Sequence, residues 1–88
     1  DLVNLLIHTK EKEQSLEEVS LEDGCKLVGK TLKEAAIRSE MSITVLAIRR
    51  GEKLISNPSS DEKLQDKDLL VIYGEKDDSE KFKKKCRG

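Results

Sequence analysis

Two dense apolar runs, residues 43–48 (ITVLAI) and 69–73 (LLVIY), dominate a chain of 88 residues in which 40% are charged and 35% hydrophobic. Such a composition approaches that of chains that never collapse, because little apolar surface is available to offset the entropy of ordering. Concentrating that surface in two β-branched runs changes the outcome. Within residues 42–50 (SITVLAIRR), Ile43, Val45 and Ala47 point one way and Thr44, Leu46 and Ile48 the other. A strand apolar on both sides belongs in the middle of a sheet. Residues 68–74 (DLLVIYG) read the same way.

The segments around these strands complete a small domain. Residues 15–21 (SLEEVSL) form a third strand candidate, ended by a turn at Gly24. Thr31 and Glu34 have the spacing of a capping box, which predicts a helix from Thr31 to about Ser39–Glu40 with Leu32, Ala35 and Ala36 as its apolar stripe. Gly51-Glu52 fits a two-residue hairpin turn, with residues 53–56 returning as a short strand. Asn57-Pro58 stops that strand. The polar connector 59–67 holds one apolar anchor, Leu64, and a last helix starts at Asp77 or Asp78 and runs to about Lys85 with Phe82 and Cys86 on its apolar edge. Residues 1–9 (DLVNLLIHT) fit a helix or a strand. The reading is α+β: a mainly antiparallel sheet with one inserted helix and a C-terminal helix, with 1–14 as an N-terminal segment and linker and 15–88 as the domain.

Charge and composition exclude several functions. With 17 basic and 18 acidic residues the chain has a net charge of −1 and lacks the basic field that nucleic acids or anionic membranes attract. One Tyr and one Phe leave no stacking platform for single-stranded nucleic acid. Cys25 and Cys86 form no close pair, and two cysteines are few for a small secreted domain. They read as reduced thiols of a cytoplasmic protein, with a single disulfide as the alternative. No apolar stretch is long enough to span a bilayer.

Catalysis and metal binding find little support. His8 is the single histidine, and nothing brings it to a cysteine. Asp61, Glu62, Asp66 and Asp68 could offer oxygens to a hard cation but read as solvated connector charge. Residues 24–31 match G-x-x-x-x-G-K-T, the phosphate-loop pattern. A working loop of that kind follows a buried strand of a large parallel sheet, for which this chain is too short. The basic tail 81–87 (KFKKKCR) suits the C-terminal end of a helix. The expectation is a domain with no catalytic residue, no metal and no cofactor.

Four motifs in register resemble one family. Residues 24–32 (GCKLVGKTL) are similar to its G-S-x-L-V-G-K-T-L opening, and 45–51 (VLAIRRG) to its V-L-A-I-x-R-x-G strand and turn. Asn57-Pro58 followed by Leu64, and 66–74 (DKDLLVIYG), resemble its later motifs, with Lys67 where glycine is common. This is the TrkA-C, or RCK-C, domain. The resemblance implies pairing into homodimers, a cytoplasmic place at the inner face of the membrane beside a potassium or cation transport subunit, and no nucleic acid bound by the domain itself. A pure dimerising module, in a transporter or a transcriptional regulator, is the alternative. The resemblance also implies that some members hold cyclic di-AMP at the dimer interface. Carried over by position, the ligand residues are Ala36, Ile37, Arg38, Thr44, Asn57 and Pro58.

Overall fold

The computed structural model describes residues 14–22 and 24–87, so the readings for residues 1–13 and His8 lie outside the described residues. The chain forms β1 (Gln14–Ser20), α1 (Leu32–Ala35), α2 (Ile37–Met41), β2 (Thr44–Arg50), β3 (Lys53–Ser56), β4 (Leu69–Glu75) and α3 (Lys76–Arg87). The four strands make one antiparallel sheet in the order β1-β4-β2-β3. The two doubly apolar strands, β2 and β4, occupy its middle. Arg50 pairs with Lys53 across the Gly51-Glu52 turn, where Gly51 takes a φ of +63° that favours glycine.

Among the described residues, only one side of the sheet is covered. Leu70, Ile72 and Gly74 of β4 point into a core shared with Val19, Leu21, Ile43, Ile48, Leu64 and Phe82. On the other side Leu16, paired with Tyr73, and Leu54 remain exposed. Gly74 is required for close packing: a Cβ there would meet the Ile43 Cδ1 at 2.8 Å and the Ser42 carbonyl oxygen at 3.2 Å.

Three local details depart from the sequence expectation. The single helix is broken at Ala36, which adopts left-handed φ, ψ of 54° and 34°. On an unbroken helix residues two apart point in nearly opposite directions. The break lets both Ala35 and Ile37 enter the core, at 4% and 2% exposure. The predicted capping box is present at the start of α1: the Glu34 amide donates to Thr31 Oγ1 and the Thr31 amide donates to Glu34 Oε1. That backbone hydrogen bond holds the Glu34 carboxyl below its usual range.

The second departure is in β2. Val45 lies opposite Ile72 and Ala47 opposite Val71, so Leu46 is an extra residue in a β-bulge. The bulge reverses the expected alternation: Val45 and Ile48 share the core side, Thr44 and Ala47 share the open side, and Leu46 is exposed. Its carbonyl oxygen accepts the Asn57 amide at 2.8 Å.

The third concerns the cysteines. Cys25 and Cys86 are joined in a disulfide across 61 residues, with their Cα atoms 4.7 Å apart. The reading of two reduced thiols is corrected by this pairing, which only the fold creates. At Lys67 a lysine adopts the positive φ, 69°, that glycine would take, so the turn keeps that conformation without glycine.

Ser79 on α3 is fully buried, and its hydroxyl finds no hydrogen-bond partner among the described residues. A buried hydroxyl without a partner is destabilising, and alanine is the better helix former. Ser79→Ala is expected to raise the unfolding free energy by about 1 kcal/mol, read from the urea midpoint at unchanged slope.

Candidate ligand cleft

The break at Ala36, the start of β2 and the Asn57-Pro58 turn surround a cleft of about 330 Å³. All six carried-over residues line it: Ala36, Ile37, Arg38, Thr44, Asn57 and Pro58. Each is placed by a specific backbone event. Ala36 is the left-handed joint itself, and it opens α2 so that Arg38 stands one residue inside that helix. Ser42, at φ 57°, ends α2 and turns the chain into β2, bringing Thr44 to the rim. Asn57, at φ 48°, turns out of β3 while its amide is held by the bulge carbonyl.

The roles differ with depth. Ile37 is buried and forms the floor. Ala36, Thr44 and Pro58 are half-buried, and Arg38 and Asn57 are exposed. Lys33, Ser39 and Ser60 also line the cleft and were missed by the sequence reading. Lys33 is five residues before Arg38, a spacing that on one continuous helix sends the two side chains to different faces. The joint at Ala36 gathers them in one cleft, and nothing in the sequence announces that joint.

The cleft is electrostatically one-sided. Its lining holds two cations, Lys33 and Arg38, and no Asp or Glu. Among the described residues neither cation forms an ion pair. Lys33, Arg38, the side-chain amide of Asn57 and the hydroxyls of Thr44 and Ser60 supply donors, with Ile37, Ile43 and Pro58 as apolar surface. That set suits a planar apolar group carrying a negative charge.

Two of the four acids in the connector are engaged by Arg50. Asp68 is fully buried, and its carboxylate receives Arg50 Nε at 2.9 Å, Arg50 Nη2 at 2.8 Å and the Gln65 amide at 2.9 Å. Glu62 takes the third contact, to Arg50 Nη1 at 3.2 Å. The reading of this cluster as solvated charge is corrected for these two residues: both are paired with Arg50. No group of three or more metal-ligating side chains occurs among the described residues.

The phosphate-loop string does not sit in a phosphate-loop setting. Residues 24–31 connect β1 to the four-residue α1, and every strand pair among the described residues is antiparallel. In the basic tail, Lys83 is ion-paired with Glu17 and lies 3.8 Å from Glu80, and Lys85 lies 3.9 Å from Glu40 of α2.

The model of the TrkA-C domain matches residues 16–87, nearly the whole described chain. The chain belongs to the TrkA-C family. It is 33% identical over 60 residues to the Ktr system potassium uptake protein C of Bacillus subtilis, covering 68% of this chain and 27% of that protein. The TrkA-C domain therefore spans about a quarter of that relative's length. Among solved structures it resembles the RCK C domain of the potassium transport protein KtrA in complex with cyclic di-AMP, with a TM-score of 0.74, 26% identity, and coverage of 94% of this chain and 93% of that one. The fold is also shared with S. agalactiae BusR in complex with promoter DNA, at TM-score 0.74 and 19% identity, over 94% of this chain and 40% of that chain. No helix among the described residues is long and apolar enough to cross a membrane.

Proposed function

We propose that this TrkA-C domain is the regulatory, ligand-sensing and dimerising part of a potassium or cation transport protein, working on the cytoplasmic side of the membrane beside a membrane-embedded transport subunit. Its ligand is an anionic dinucleotide, cyclic di-AMP, held between two copies, and it carries out no bond-making chemistry. The observation that carries this reading is a cleft with no acid in its lining and two cations unpaired among the described residues, in a chain whose net charge is −1. A two-fold symmetric ligand suits a two-fold interface, where each copy offers the same groups. Arg38 meets a phosphate, Ile37 and Pro58 pack against a base, and Thr44 and Asn57 hydrogen-bond its edge. The open sheet face, with Leu16, Leu54 and Tyr73 exposed, supports pairing because an apolar surface of that kind favours burial. Ligand that tightens the pair would couple this soluble site to a gate in the transport subunit.

Calorimetric titration with cyclic di-AMP tests the site. Arg38→Ala is expected to weaken binding about 10- to 100-fold, as loss of a charge-assisted hydrogen bond worth about 1.5–3 kcal/mol does. The side chain is exposed, so the melting temperature without ligand should not move. Unchanged affinity in the variant would remove Arg38 from the site. No melting shift of the wild type at saturating nucleotide would favour the pure dimerising module instead.

A further inference from the structure

The disulfide joins two segments far apart in the sequence. Cys25 lies in the turn that follows β1, and Cys86 lies in the last turn of α3. Both are buried, at 9% and 5% exposure. Buried sulfurs exchange only where a reagent can reach them, and here a cleft borders both residues. Cys25 and Cys86 line a cleft of about 490 Å³ with Glu18, Ser20, Glu22 and Lys83. Its volume lies within the roughly 300–1,000 Å³ range of small-molecule pockets. Half of its eight lining residues, Glu18, Ser20, Glu22 and Lys83, are polar or charged.

We propose that this cleft is an exchange site for a low-molecular-weight thiol, and that the Cys25–Cys86 bond is a reversible clasp on α3. In the opening direction a thiolate in the cleft attacks one protein sulfur. The S–S bond breaks, and the released cysteine keeps the electron pair and takes up a proton. A second thiol then attacks the mixed disulfide, freeing the other cysteine and leaving as the oxidised thiol dimer. Two electrons and two protons have passed from two small thiols to the protein. Closing runs the same steps in reverse, with the oxidised dimer as electron acceptor.

The clasp acts on the fold because of what α3 carries. Nine of its twelve residues are charged, and its covered surface rests on Ser79, Phe82 and Cys86. Opening the bond removes the covalent hold on the end of that helix, next to Lys85 and its Glu40 partner on α2.

Glutathione serves as the probe. The oxidised native chain, incubated with reduced glutathione without denaturant, is expected to expose both thiols to alkylation, and excess oxidised glutathione should close them again. Because the bond closes a loop of some sixty residues, reduction should lower the melting temperature on the order of 15 °C. The Cys25→Ala/Cys86→Ala double variant should melt at one temperature under both conditions. A bond that native glutathione leaves intact, or equal melting of the oxidised and reduced wild type, would overturn the proposal. Glu22→Trp enlarges an exposed lining residue beyond the end of β1 and should slow exchange several-fold at unchanged melting temperature. An unchanged rate would exclude the cleft as the route. Nucleotide binding enters none of these readouts, so the clasp and the dinucleotide site stand or fall separately.

Discussion

Asp68→Asn is expected to cost the fold about 3 kcal/mol, the lower end of what is lost when one partner of a buried ion pair is removed. Asp68 has no exposed surface, and its two oxygens are filled by Arg50 and the Gln65 amide. Asparagine fits the space, but its NH₂ group would face a guanidinium that also only donates. The cost is held to the lower end because the Arg50 side chain is 23% exposed and keeps Glu62. The pair joins the end of β2 to the residue before β4 and closes the connector between β3 and β4, so its loss is felt in the centre of the sheet.

The same carboxylate makes an acid-sensitivity prediction. Burial pushes the Asp68 carboxyl up, but the hydrogen bonds from Arg50 and Gln65 and the guanidinium charge outweigh it, and the net position is below the usual range. A carboxyl depressed in the folded state contributes stability above its unfolded pKa, about 3.9. That contribution fades as pH falls below this value toward the folded pKa. Wild-type stability should therefore drop steeply below about pH 4, and the Asp68→Asn variant should lose that part of the slope. Urea midpoints at several pH values compare the two chains. Parallel acid limbs would show that Asp68 is not the group responsible.

What the sequence made legible was local. The capping box at Thr31 and Glu34, the Gly51 hairpin and the Leu64 anchor each depend on neighbours a few residues apart, and each appears as expected. The central placement of β2 and β4 followed from apolar residues on both sides, because such strands lose most when left at an edge. The events that could not be read are set by distant packing. Ala36 enters the left-handed region because Ala35 and Ile37 both have to reach the core. Leu46 is extruded as a bulge because Val45 and Ile48 both have to face it. Asp68 becomes buried only when Arg50 arrives from eighteen residues away. The cysteines meet only once α3 docks. The candidate cleft shows both sides of this. Motif resemblance indicated six of its residues, and they converge, whereas Lys33 joins them through the joint at Ala36, which has no sequence signature.

The largest single loss is expected from Phe82→Ala. Twelve residues are too few for a stable isolated helix, and the charge on α3 gives it almost no apolar face of its own. Its attachment to the sheet rests chiefly on Phe82, the only phenylalanine in the chain, which is fully buried among the core residues. Truncating a buried aromatic to alanine costs about 3–5 kcal/mol through lost transfer energy and the cavity left behind. The upper part of that range applies while the disulfide is closed, because Cys86, one turn further on, holds the helix against the cavity and limits its collapse. With the bond open the helix can swing away, the cavity never forms, and the penalty becomes the loss of docking itself. Hydrogen exchange separates the two: in the oxidised variant the amides of α3 should stay partly protected, and in the reduced variant they should exchange at nearly the rate of a free helix. Equal protection in both would mean that Cys86 contributes nothing to holding α3, and that Phe82 alone anchors the end of the chain.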